Sequence, residues 1–300
     1  MNEKFFIIDG HALAYRAYYT FVNNVKTTTY GFDTGTIYGF IKIIFYILKI
    51  EKPKYIAVVF DTKAPTWRKQ VFDSYKANRP KQPQSITESL PYIKQILNAL
   101  NIVFLEQDSF EADDIIGTLT TKIHPDINVY IMTPDKDYEQ LISNNIFLYK
   151  PIKHSTNYEI IDVQKVQNKW HIQDPKNVID ILALAGDKSD NIPGIQNIGL
   201  KTAAKIIAQY GSIDNIYDNI QTLSDDMREK FLSQKEQILL YKNIATICLN
   251  VPLEIKSADF IRKDFNKQEL QKIFTQLEFA SLLKELNTIQ ENKQAGLFDM

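Results

Sequence analysis

Cysteine is almost absent: Cys248 stands alone in 300 residues. That excludes a disulfide framework and a cysteine-based zinc site. The four histidines, His11, His124, His154 and His171, are scattered with no HxxxH-type spacing. Any metal is therefore expected on oxygen ligands. Long apolar runs are missing as well. The longest, Ile37 to Ile50, carries Lys42 and Lys49 and is too short to span a bilayer. The opening Met1-Asn-Glu-Lys and Phe5-Phe-Ile-Ile lacks the apolar length and cleavage site of a secretion leader. No Ser-His-Asp pattern, P-loop or dinucleotide fingerprint occurs. Gly194-Ile-Gln-Asn-Ile-Gly199 lacks GxGxxG spacing and follows no strand pattern. The expectation is a soluble cytoplasmic protein with no membrane contact.

A strong charge of either sign is also lacking, the net being −1. Hydrophobic residues, at 44%, suffice for a buried core. Continuous apolar runs at Phe5–Ile8, Tyr55–Phe60 and Asn128–Thr133 suit strands buried on both faces. Phe147–Lys150 reads as a fourth strand. Helical patterns lie between, over Gly35–Ile50, Ile86–Leu100 and Glu111–Lys122. The alternation predicts an α/β fold with a mainly parallel sheet. Beyond Pro175 nearly everything reads as helix: Lys176–Ala185, Leu200–Tyr210, Ser212–Asn219, Ser224–Tyr241 and Lys267–Leu286. The predicted division is an α/β domain over 1–175, a helical domain over 176–290 and an aperiodic tail over 291–300.

Each of the first three strands runs into aspartate: Asp9, Asp61, and Asp135 with Asp137. Ligands of open parallel sheets bind at the carboxyl ends of strands. Aspartate also ends strands and caps helices for purely local reasons, but three in register favour a site. Glu111-Ala-Asp-Asp114 opens a helix and puts Glu111 and Asp114 at i,i+3. Its three carboxylates in four residues repel one another, and a cation would relieve that. Asp187-Lys-Ser-Asp190 follows an apolar helix and closes the set. Removing these nine acids from the net charge leaves the rest of the chain at +8, compatible with phosphate binding. An all-carboxylate donor set suits two or more Mg2+ or Mn2+ ions. Paired ions can activate water and stabilise the leaving oxygen of a phosphodiester.

Two basic segments complete the pattern. Thr62–Gln84 carries Lys63, Arg68, Lys69, Lys76, Arg79 and Lys81 against one acid, interleaved with Trp67, Phe72 and Tyr75. Cations bind phosphate and aromatics stack on unpaired bases. Lys76 and Arg79 are placed to stabilise charge on a scissile phosphate. The turn with Gly194, Ile195 and Gly199, leading into Leu200-Lys201-Thr202 and Lys205, is a second phosphate candidate. A solvated basic face and a plain helix-turn-helix are the corresponding structural readings.

These motifs together resemble the 5′-nuclease (flap endonuclease) family, most closely the 5′-3′ exonuclease domains of bacterial DNA polymerase I. The matching stretches are Asp9-Gly-His-Ala-Leu-Ala-Tyr-Arg16, Val59-Phe-Asp-Thr-Lys-Ala-Pro-Thr-Trp-Arg68, Tyr75-Lys-Ala-Asn-Arg79, Glu111–Asp114, Thr133-Pro-Asp-Lys-Asp137 and Gly186–Ala203, with Leu277–Leu283 near the end. The resemblance implies a PIN-like sheet, a helical arch around 62–95 and a helix–three-turn–helix module. It implies metal ligation by Asp9, Asp61, Glu111, Asp113, Asp114, Asp135, Asp137, Asp187 and Asp190, with Arg16 near the site. It further implies K+ at the hairpin, substrates with 5′ flaps, nicks, ends or RNA primers, and a place in replication and repair at the bacterial nucleoid. The family's polymerase domain does not follow here, so the chain is either an independent nuclease or a piece of a longer parent. Gln294-Ala-Gly-Leu-Phe298 resembles a sliding-clamp peptide. A non-catalytic junction-binding module and a PIN-like ribonuclease are the rival readings.

Overall fold

The computed structural model describes residues 3–152, 155 and 157–286. Contacts divide the chain into two compact units that do not follow chain order. One holds residues up to 60, 81–105 and those from 254; the other holds 61–80 and 106–253. The described residues form six strands: β1 (Lys4–Asp9), β2 (Tyr55–Val59), β3 (Val103–Leu105), β4 (Asn128–Met132), β5 (Ile146–Pro151) and β6 (Tyr158–Ile161). The helices are α1 (Gly10–Phe21), α2 (Gly35–Tyr46), α3 (Trp67–Val71), α4 (Gln84–Ala99), α5 (Ala112–Lys122) and α6 (Val163–Trp170). They continue with α7 (Val178–Ala185), α8 (Leu200–Tyr210), α9 (Ile213–Asp218), α10 (Asp225–Ser233), α11 (Lys235–Ala245) and α12 (Lys267–Gln276). No helix among the described residues is long and apolar enough to cross a membrane.

In the first unit β1, β2 and β3 are parallel, with Phe5 opposite Tyr55, Asp9 opposite Val59 and Ala57 opposite Val103. Phe5–Ile8 and Ile56–Val59 are buried without alternation, as strands covered on both faces must be. Asp9 ends β1 and caps α1, its Oδ1 accepting from the Ala12 amide at 3.0 Å. Helix α1 packs on α2, α2 on α4, and α4 on α12. The predicted helix over Gly35–Ile50 ends its regular part at Tyr46. A wider turn follows, closed by the Lys52 amide on the Ile47 carbonyl, where Lys52 takes φ 47°. The helix predicted to reach Leu286 breaks after Gln276, at Glu278 with φ 57°.

In the second unit β4 and β5 are parallel and β6 is antiparallel to β5. The mixed, mainly parallel sheet thus matches the predicted class. β3 and β6 are short, and their three and four residues leave little periodic signal. Helices α7, α8 and α11 pack together. The predicted helix Ser224–Tyr241 is two helices meeting at Gln234, and each has its own apolar anchors: Phe231 in α10, Ile238 and Ile244 in α11. The segment 62–83 contains only the short α3, then turns. Lys76 takes φ 53°, so it and Arg79 lie on a turn rather than on an arch helix. The turn after α7 is fixed by close approach. Gly194 takes φ 71°, and a Cβ there would lie 2.3 Å from the Gly186 amide nitrogen. Only glycine fits such a position.

Candidate active site

Helix α5 begins where acids are densest, and that start is where the second unit is most heavily cross-tied. Asp61 Oδ1 accepts from the Ala112 amide at 2.8 Å, which fixes Asp61 to the first turn of α5. Asp114 is fully buried. Its Oδ1 accepts from Arg68 Nη2 at 2.7 Å and the Cys248 amide at 2.8 Å. Its Oδ2 accepts from Arg68 Nη1 at 2.7 Å, Trp67 Nε1 at 3.1 Å and the Glu111 amide at 3.2 Å. Arg68 is itself 1% exposed and also reaches Glu111 and the carbonyls of Ile244 and Thr246.

Two sequence expectations change here. Asp114 has no lone pair left facing a ligand, so it organises the helix start rather than holding a metal directly. Arg68 has spent its donors inside the protein and offers none to a phosphate. Tyr75 is corrected likewise. It is buried with Ile192 and Ile244, and its hydroxyl lies within hydrogen-bond distance of both Glu111, at 2.8 Å, and Asp190, at 3.0 Å, its single proton shared between them. Its ring is unavailable for stacking on a base.

Glu111, Asp190, Asp137 and Asp187 carry basic partners. Lys76 Nζ donates to Glu111 Oε1 at 2.7 Å. Arg79 Nη2 donates to Asp190 Oδ1 at 2.7 Å and its Nε to the Ser189 carbonyl at 3.1 Å. Lys136 Nζ donates to Asp137 at 3.1 Å and also to Asp187. Asp187 additionally accepts from the Ser189 amide at 2.7 Å, and a two-bond bridge to Ile192 closes its loop. The Asp137 amide donates to Asp135 Oδ1 at 3.0 Å, which sets the spacing of that pair. Lys136 escaped the sequence reading, although a lysine between two candidate ligands is a visible signal.

Six carboxylates in this unit share one electrostatic environment. Burial and the charge of Asp113 push Glu111 up to about 7, against the pull of Lys76 and Arg68. Burial and then Asp135 push Asp137 up to about 8, with Asp190 and Asp187 adding to the effect. Asp187 moves the other way: despite burial, hydrogen bonds from Lys136 and Ser189 hold it below the usual carboxylate range. Among the described residues Asp113 Oδ1 is buried with no hydrogen-bond partner. An unsatisfied buried carboxylate oxygen amid like charges is costly, and a cation offsets that cost. The donors are all oxygen, as hard divalent ions require. The residues therefore fit such ions chemically. Among the described residues, however, no three His, Cys, Asp or Glu side chains are grouped so that they could hold a metal ion as they stand. Lys76, Arg79 and Lys136 face the acids instead.

The second basic segment separates into core and surface. Ile195 is buried, its amide donating to the Leu184 carbonyl at 2.8 Å, so it anchors the hairpin and does not present a side chain to a ligand. Gly199 caps α8, and Lys201, Thr202 and Lys205 are exposed on that helix. Lys63 is exposed too. In the first unit Asp9 sits at the end of β1, and Arg16 is partly buried in α1. The Gln294–Phe298 peptide lies outside the described residues.

Known proteins resemble this chain in sequence and in fold. Residues 4–171 match the 5′-3′ exonuclease N-terminal resolvase-like domain, and residues 173–268 match the 5′-3′ exonuclease C-terminal SAM fold. The chain is 36% identical to a 5′-3′ exonuclease of Aquifex aeolicus, over 99% of this chain and 100% of that one. It is 37% identical to DNA polymerase I of Caldicellulosiruptor bescii, over 94% of this chain but only 33% of the polymerase. The chain thus spans about a third of the polymerases it matches. A zinc-bound T5 5′-exonuclease shares the fold at TM-score 0.66 and 18% identity, covering 96% of this chain and 99% of that one. The catalytic core of Rad2 in complex with DNA does so at 0.63 and 16%, covering 96% and 92%. On sequence and fold, this chain belongs to the 5′-3′ exonuclease family.

Proposed function

We propose that the chain is a divalent-metal-dependent nuclease that hydrolyses phosphodiesters of DNA or RNA primers at 5′ ends and flaps, in replication and repair. The observation that carries the proposal is the cluster of Glu111, Asp113, Asp135, Asp137, Asp187 and Asp190, with its buried, unpartnered Asp113 oxygen. These six, together with Asp61, would hold Mg2+ or Mn2+. Asp9 joins the set on the sequence resemblance, as does Arg16 as a neighbour of the site. When bound, a pair of such ions supplies Lewis-acid polarisation of the phosphodiester and acidifies water.

The chain's own residues do the rest. Lys76 and Arg79 already neutralise Glu111 and Asp190 at the rim. A phosphate brought against the acids meets those two cations, which stabilise charge growing on its oxygens. Exposed Lys63, Lys201, Lys205 and Thr202 add backbone contacts that are indifferent to sequence and weaken with salt. Gly199 opens α8 with free amides toward an anion, and a potassium ion at the Gly194–Gly199 hairpin is part of the same proposal.

The test is a 5′-flap duplex incubated with the 300-residue chain in Mg2+ and in EDTA. Cleavage in Mg2+ alone is expected. A duplex that is bound but intact in both buffers would instead identify a junction-binding module, and preferential cutting of single-stranded RNA a ribonuclease.

A further inference from the structure

The two acid-bearing segments of the second unit hang from one uncharged stretch, residues 244–248 at the end of α11. Arg68, which grips Asp114 and Glu111, donates to the carbonyls of Ile244 and Thr246, both at 2.8 Å. The Cys248 amide donates to Asp114. On the other side stands Gln140, buried at the end of the short 3-10 turn that Asp137 begins. Its Nε2 donates to the Asp137 carbonyl at 3.0 Å and to the Ala245 carbonyl at 3.1 Å. Its Oε1 accepts from the Ile247 amide at 2.9 Å. The amide orientation is unambiguous, because exchanging its N and O would set an NH2 against the Ile247 N–H. Residues 244–248 thus alternate between the two clamps, and Gln140 is the side chain that ties Asp137 to the strap holding Glu111 and Asp114.

We propose that Gln140 is a positioning residue for the nuclease reaction: its carboxamide sets the Asp135–Asp137 loop at a fixed distance from Glu111 and Asp113. The inference rests on the metal-dependent reading above. Gln140 carries no charge, is buried and spends both of its N–H groups inside the protein, so it acts through Asp137. Glu139 secures the outer side of the same turn. It is buried and accepts from Trp170 Nε1 at 2.6 Å and Lys169 Nζ at 2.7 Å. The turn is thus held on both flanks, and the Gln140 flank leads to the strap that holds Glu111 and Asp114. Groups that orient metal ligands are commonly worth about 10–100-fold in affinity or activity.

Gln140→Met keeps the length and apolar packing and removes all three hydrogen bonds. Mn2+ affinity of the full chain without DNA, followed by electron paramagnetic resonance, is expected to weaken about tenfold. At saturating Mg2+, kcat on a 5′-flap duplex should fall by about tenfold or more, with KM within about twofold of wild type. A cooperatively folded Gln140→Met with wild-type Mn2+ affinity and kcat would overturn the proposal, whatever its melting temperature. If wild type binds Mn2+ but leaves the flap intact, the nuclease reading fails, while the Mn2+ comparison still decides the role of Gln140. Should the variant not fold, hydrogen exchange of wild type decides. Mn2+ should then slow the Ile247 and Cys248 amides more than the amides of α6, and equal slowing would refute the coupling.

Discussion

Replacing Arg68 by methionine separates two accounts of one residue. A phosphate-binding Arg68 would cost DNA affinity and leave the fold untouched. The structure requires the reverse. Arg68 makes five side-chain hydrogen bonds: two to Asp114, one to Glu111 and one each to the carbonyls of Ile244 and Thr246. Arg68→Met leaves the fully buried Asp114 carboxylate with three neutral donors and no cation. Orphaning one member of a buried ion pair costs about 3–5 kcal/mol. That is a large fraction of the roughly 5–15 kcal/mol by which domains are stable. Equilibrium urea unfolding, followed by circular dichroism, should show the midpoint drop with little change in slope. Adding Asp114→Asn in the same chain should recover part of the loss, because it removes the orphaned charge. Arg68→Lys should not rescue, since one ammonium cannot span Asp114, Glu111 and two carbonyls. A loss under about 1 kcal/mol, or a double variant no more stable than the single one, would refute the keystone role.

Further outcomes follow from the same contacts. Asp113→Ala should abolish flap cleavage without lowering the metal-free melting temperature, since it removes a buried oxygen with no partner; wild-type turnover by the folded variant would contradict its assignment. Lys76→Ala should lower kcat on a flap duplex at least about tenfold, with a modest change in binding; a defect confined to binding, seen by fluorescence anisotropy, would remove its transition-state role. Gly117→Ala should destabilise by about 1–3 kcal/mol, because the new methyl would lie 2.5 Å from Ile247 Cγ2; a neutral result in urea unfolding would show that the strap can shift.

β1 and β2 were legible because they are buried on both faces and read as unbroken apolar runs, and β4 because its sequence is apolar although Asn128 and Tyr130 are only half-buried. β1, β2, β4 and β5 all appear where the composition predicts them. β6 was not legible, because a short, partly exposed edge strand has no such run. Helix α1 escaped for another reason: its buried face is Gly10, Leu13, Ala14 and Ala17, mostly small residues, and its start is marked mainly by Asp9, which serves both as cap and as candidate ligand. The π-type turn after α2 and the break at Gln234 depend on what the helix ends meet, which periodicity does not encode.

By itself the amino-acid sequence determined the class of fold and the family, because motif spacing and buried apolar runs are local properties of the chain. Only the tertiary structure decided what each polar side chain is spent on. Arg68 and Tyr75 look like nucleic-acid contacts in a basic, aromatic stretch, yet burial turns both inward onto carboxylates. Asp114 looks like a ligand and is saturated by a guanidinium 46 residues away in sequence. Gln140 looks like an ordinary polar residue and becomes the tie to a strap 107 residues further on. A hydrogen-bonding group is free or committed according to which distant segment packs against it, and that is a property of the folded chain alone.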